Sequence, residues 1–194
     1  LTANLQSKRD VEYATASFGQ GIAVTPVNVT VALASLGNGG YLVTPYVLDE
    51  IRYESGRIRE TVPNPGEQIL KKETSDEISR MLVKVVDTAL LNGSVKVPEY
   101  SIAAKTGTAQ MARPRTEGGG YYDDRYLHTF FGYFPAYDPK FIVFLYTENP
   151  KDATFASHTL THPFMRTAKF LLHYYEIPPD RDPNASPGFS RLDP

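Results

Sequence analysis

The stretch "HTFFGYFPAYDPKFIVFLYT", beginning at His128, constrains the fold more than any other part of the chain. Two runs rich in aromatic and β-branched residues, 127–134 and 141–147, are separated only by residues 135–140, whose Asp138-Pro139 pair favours a compact turn. A connection that short joins antiparallel neighbours, so the spacing predicts a hairpin. A third strand is predicted over residues 100–108, linked to the hairpin by a long, glycine-rich segment, 109–125, that contains "EGGGYYDD" and is expected to be mobile.

Helical patterns flank these strands. Thr74 with Glu77 reads as a capping box. Ile78, Met81, Leu82, Val85, Ala89 and Leu90 then recur at helical spacing until Asn92-Gly93, a stripe that docks on a core rather than on a cofactor. Near the C-terminal end, Phe164, Ala168, Leu171, Leu172 and Tyr175 predict an amphipathic helix starting near Pro163. In "TPVNVTVALASLGNGG", Thr25 as N-cap and Pro26 at the first helical position predict a short, largely buried helix closing on Gly37, Asn38 and Gly39. Upstream, "SFGQGI" reads as a helix-entry loop whose glycines allow close backbone approach. Residues 46–62 read as two strands joined across Glu54-Ser55-Gly56. The fold class that emerges is α/β of the α+β type: an antiparallel sheet flanked by helices, in one domain over residues 1–176. Residues 177–194, with five prolines in "IPPDRDPNASPGFSRLDP", are expected to form an irregular tail on which no chemistry depends.

Composition removes several function classes. With 194 residues and 41% hydrophobic side chains the chain can bury a core, and 20 basic against 22 acidic residues leave a net charge of −2. That balance gives no electrostatic footprint for nucleic acid or an anionic membrane surface. There is no cysteine, hence no disulfide framework and no thiolate metal site. The longest apolar run, "FIVFLY", is too short to span a bilayer, and the chain as written reads as soluble.

The site candidates centre on "SIAAKTGTAQ", residues 101–110. Lys105 is either a solvated edge lysine or the cation of a cleft. In the second reading Thr106 and Thr108 supply hydroxyls, Gly107 removes side-chain bulk, and a backbone N–H on the strand edge faces a developing oxyanion. Strand alternation sets Lys105 on the face opposite Thr106 and Thr108, so one site uses all three only along the strand edge. His128 reads as a structural histidine rather than a general base. His158 and His162, four apart, would share a helical face for a metal but lack a third ligand. Asp123-Asp124 reads as a solvated turn.

At "KTGT" the chain resembles the serine acyl-transfer enzymes that recognise penicillin, whose other signatures are S-x-x-K and S-x-N. "ASFGQGIAVTP", "NGGYLVTPYVL", "HTFFGYFPA" and "FLLHYYEIPPDR", in this order, are similar to the monofunctional, class B penicillin-binding proteins, and the resemblance covers nearly the whole chain. It implies D,D-transpeptidation of peptidoglycan stem peptides at a serine that β-lactam antibiotics acylate, with no cofactor and no metal. Lys105 would join the hydrogen-bond network around the S-x-N serine, Thr106 would bind the substrate carboxylate, Gly107 would let substrate lie along the strand, and the Thr108 N–H would be an oxyanion donor. The resemblance also implies a place on the extracytoplasmic face of the bacterial plasma membrane, anchored by a segment outside this chain, and contacts with other cell-wall synthesis proteins. Neither S-x-x-K nor S-x-N occurs in the sequence, and Ser101 precedes Lys105 by four positions rather than three. The chain is therefore expected to be the C-terminal part of a transpeptidase domain, inactive alone, whose nucleophile lies in the N-terminal part. A non-catalytic penicillin-binding-like module for peptide or partner recognition is the alternative; a sensor or β-lactamase fits "SFGQGIAVTP" and "IPPDR" less well.

Overall fold

The computed structural model describes residues 6, 8–64 and 66–182. They fall into two units, Leu1–Ser79 and Arg80–Pro194.

The first unit contains α1 (Asp10–Ala16) and α2 (Pro26–Ala34), followed by a hairpin of β1 (Glu50–Arg52) and β2 (Ile58–Glu60). Thr25 caps α2 as its sequence predicts, accepting from the Asn28 N–H at 3.2 Å, with Pro26 at the first position. The predicted burial of α2 does not hold: none of its residues is buried, and Val27 is 57% exposed. A helix apolar on every side is buried only when covered on every side, and the elements of its own unit do not do this. The segment between α1 and α2 is a loop, as its sequence predicts, and a Cβ on Gly19 would meet nothing within 4 Å. Its φ of 82°, not a close approach, is what calls for glycine.

Helix α3 (Lys72–Lys84) starts two residues before the expected cap, so Thr74 lies in its first turn and not at the N-cap. The anchor there is Ser75, 1% exposed, whose hydroxyl donates to the Leu36 carbonyl at 2.7 Å and accepts from the Gly39 N–H at 3.1 Å. Its buried line runs through Ser75, Ser79, Val83, Val86 and Leu90, while Met81 is 54% exposed. The predicted stripe is thus rotated by about one position. Two hydrogen-bonded serines are buried where apolar periodicity alone would not look, and a π-helical turn at Val85–Ala89 shifts the phase beyond. The segment ends in a kink over residues 90–93, where Leu91 and Asn92 have φ of 46° and 58°, at the expected asparagine and glycine.

In the second unit β3 (Ala103–Ala112), β4 (Tyr121–Phe134) and β5 (Phe141–Glu148) form an antiparallel sheet in the order β3-β4-β5. The predicted β4-β5 hairpin is present, with Phe134 opposite Phe141 and the Lys140 N–H donating to the Phe134 carbonyl at 3.1 Å. The supposed mobile connection before it is mostly strand: β3 runs on to Ala112 and β4 begins at Tyr121, past a bulge between Gln110 and Ala112. Asp123 and Asp124 therefore lie in β4, not in a turn. What remains is an ordered tip. Gly118, Gly119 and Gly120 all have positive φ, the Arg113 N–H donates to the Gly120 carbonyl, and the Arg113 and Arg125 guanidinium groups lie 5.2 and 4.1 Å from the Tyr122 ring.

Helices α4 (Ala156–Thr159) and α5 (Thr161–Tyr174) cover one face of the sheet. Phe164 of α5 stacks on Phe130 at 4.5 Å and meets Phe134 edge-on at 6.0 Å, all three fully buried. Each such ring contributes about 1.5–3 kcal/mol relative to exposure. The approach is possible because β4 carries Gly132 beneath Phe164: a Cβ there would come within 2.5 Å of the ring and 2.7 Å of the Ala103 carbonyl. No helix of the described residues is long and apolar enough to cross a membrane.

Candidate functional site

Within its sheet β3 is an edge strand, and residues 105–108 lie in its regular part, with no bulge until Gln110. Alternate residues of an edge strand direct N–H and C=O groups away from the neighbouring strand, leaving them available to something else. Lys105 and Thr108 are exposed, Thr106 and Gly107 half-buried. Lys105 lies opposite Phe131, Thr106 opposite Phe130, Gly107 opposite Thr129 and Thr108 opposite His128. Thr106 and Thr108 thus share the face that α4 and α5 cover, and Lys105 has the other, as alternation requires. The Lys105 ammonium nevertheless donates to the Thr106 carbonyl at 2.7 Å. Backbone carbonyls lie in the plane of the sheet, so this bond draws the cation from the face toward the strand itself.

Thr108, Gly107 and His128 each have identifiable neighbours. The Thr108 hydroxyl oxygen accepts from the Ala156 N–H at 3.0 Å, so its own proton is free for an anionic acceptor. A Cβ at Gly107 would come 2.4 Å from the Thr129 hydroxyl oxygen, so bulk at 107 is resisted by the neighbouring strand. His128 is fully buried, with Nε2 3.1 Å from the Thr154 carbonyl and Nδ1 2.9 Å from the Thr159 hydroxyl. A carbonyl can only accept, so Nε2 carries the proton and Nδ1 accepts in the neutral ring. Both nitrogens are occupied, which makes His128 the strut between β4 and α4 that its position predicted. His158 lies in α4 and His162 in α5, and the break at Leu160 removes the helical face they would have shared.

Sequence reasoning missed what fixes the start of β3. Ser101, four residues before Lys105, is completely buried. Asp180 takes its N–H at 2.7 Å and its hydroxyl through the other carboxylate oxygen, and the Ser101 hydroxyl oxygen and carbonyl both accept from the Ala136 N–H. Next to Asp180, Arg181 forms a two-pronged ion pair with Asp87, both contacts at 3.0 Å. The Tyr100 hydroxyl donates to the Ile177 carbonyl at 2.7 Å. Residues 177–182 carry no helix or strand, yet they tie the strand that bears Lys105 to the π-helical turn after α3. The rest of the expected tail lies outside the described residues. The signal was in view, since "IPPDR" puts a carboxylate and a guanidinium side by side after two prolines.

Comparison with known proteins shows the family. Residues 2–168 match the family described as the penicillin binding protein transpeptidase domain. Stage V sporulation protein D of Bacillus subtilis is 32% identical over 159 residues, which are 80% of this chain and 24% of that protein. PbpB, a penicillin-binding protein of Mycolicibacterium smegmatis, is 30% identical over 85% of the chain and 26% of its own length. Among solved structures, penicillin-binding protein 3 of Mycobacterium tuberculosis complexed with ampicillin superposes with a TM-score of 0.77 at 26% identity, covering 89% of this chain and 40% of that one. The same protein has been solved with aztreonam. The chain spans about a quarter of the length of these curated relatives.

Proposed function

The chain belongs to the penicillin-binding-protein transpeptidase family, and on that premise we propose that it is the C-terminal part of a class B D,D-transpeptidase domain acting on peptidoglycan stem peptides. In the reaction a serine attacks the penultimate D-alanine carbonyl, the last D-alanine leaves, and the acyl group passes to an amine. The serine, its partner lysine and the second oxyanion donor come from polypeptide outside this chain, since S-x-x-K and S-x-N are absent from it. β3 supplies one wall. Substrate lies along its open edge beside Gly107, and the Lys105 ammonium and the Thr106 and Thr108 hydroxyls hold the terminal carboxylate. The Thr108 N–H stabilises the oxyanion; losing such a donor costs about 3 kcal/mol of transition-state stabilisation. β-Lactams, which mimic the dipeptide, acylate the same serine. Neither a metal nor a cofactor enters. The domain works on the extracytoplasmic face of the plasma membrane, anchored by a segment outside this chain and in contact with other cell-wall synthesis proteins.

The observation that carries this reading is the open edge of β3 at Lys105–Thr108, with the lysine drawn to the strand and the Thr108 hydroxyl left free to donate. The test uses the whole protein and fluorescent penicillin. The wild type labels covalently, and Lys105→Ala labels on the order of a hundredfold more slowly at unchanged melting temperature. A folded whole protein that takes no label, or a Lys105→Ala variant that labels at the wild-type rate, overturns the proposal. The non-catalytic alternative requires an upstream coding sequence without S-x-x-K, which reading that sequence decides.

A further inference from the structure

A cavity of about 510 Å³ opens between the first half of α5 and residues 94–96, and no residue of β3 lines it. Lys96, His162, Arg166 and Lys169 line it, together with Val95 and Met165. Positions 162, 166 and 169 are four and three apart, so α5 presents all three on one face, with Lys96 brought up from the neighbouring segment. No acidic side chain lines the cavity. The side chains of Lys96, Arg166 and Lys169 form no ion pair among the described residues, whereas Lys72, Lys140 and Arg181 each have a carboxylate partner. Lys96, Arg166 and Lys169 are all exposed, so the cavity is open to solvent and three cations border it without a carboxylate among its lining. The apolar part is equally defined, since Met165 is 5% exposed and belongs to the core.

We propose that this cavity binds the phosphate group of an organic anion. A phosphate monoester brings nearly two negative charges and three acceptor oxygens, and Arg166 with two lysines offers the matching donors. The volume exceeds what a bare ion needs and falls within the range of small-ligand pockets. Val95 and Met165 then face the carbon part of the ligand. A soluble phosphate monoester and the headgroup of phosphatidic acid, itself a phosphate monoester, present this same group. The site is separate from the wall formed by β3, and its occupancy does not depend on acyl transfer.

The experiment titrates the whole protein with glycerol phosphate by calorimetry, and sediments it with phosphatidylcholine vesicles with and without phosphatidic acid. Saturable binding to either probe, weakened by salt and reduced roughly tenfold or more in Arg166→Glu/Lys169→Glu, is the expected result. Penicillin labelling and melting temperature stay unchanged in that variant. Binding to glycerol phosphate identifies a soluble ester, and binding confined to vesicles containing phosphatidic acid identifies a headgroup. If charge reversal prevents folding, Lys96→Gln/Lys169→Gln is measured in the same way. No binding to either probe, equal binding by a folded variant, or succinate binding as tightly as glycerol phosphate overturns the proposal.

Discussion

Gly132 shows how one missing side chain sets the thickness of the second unit. Phe164 occupies the space a Cβ would take, so Gly132→Ala forces the ring or the Ala103 carbonyl to move. We expect a loss of about 1–3 kcal/mol, read as a lower urea midpoint of the whole protein at unchanged slope. Tyr122 offers a second residue-scale test. Its hydroxyl donates to Glu117 at 2.5 Å, and that hydrogen bond foremost, with the nearby negative charge, raises the phenol above the ordinary tyrosine value. The sign follows from linkage: the folded tip retains a proton that the unfolded chain has already lost, so its stabilisation fades as pH rises from the ordinary value through the raised one. Glu117→Gln should bring phenolate formation, followed by ultraviolet absorbance, back toward ordinary pH.

At the scale of elements, the segment holding Asp180 and Arg181 is the unexpected support of β3. Asp180→Ala leaves the N–H and hydroxyl of buried Ser101 without their acceptors, and we expect about 2–3 kcal/mol of destabilisation, measured by thermal melting of the whole protein. Arg181→Ala should cost less than Asp180→Ala, since the partly exposed Asp87 it leaves can turn to water. The charged pair in "IPPDR" was visible in the sequence but its partners were not, for a physical reason: Asp180 reaches a residue 79 positions away and Arg181 one 94 positions away, and periodicity reports only local faces. Where the signal is local, the sequence was readable. Thr25 and Pro26 started α2, Asp138-Pro139 marked the hairpin, and alternation placed Lys105 apart from its threonines. The glycine-rich link misled because strand pairing continues through Asp123 and Asp124, polar residues whose side chains an extended, exposed hairpin leaves in water. The α3 stripe misled because Ser75 and Ser79 are buried through hydrogen bonds rather than apolarity.

For the whole molecule the exposed apolar surface is the informative quantity. Val27, Val47, Phe170 and Tyr174 are each more than half exposed, and β5 as well as β3 lies at an edge of its sheet. Unpaired edges and bare aromatic faces favour association, so residues 1–194 on their own are expected to aggregate or exchange elements. A monomeric, cooperatively melting preparation of residues 1–194 would count against this. Under the proposed function, the attacking oxygen and the wall at Lys105–Thr108 would reside on different stretches of one protein, since S-x-x-K and S-x-N are absent from this chain. Peptide mapping of the whole protein after reaction with a β-lactam tests that most directly. The account predicts a single acylated serine outside residues 1–194, and an adduct on a serine within them would contradict it.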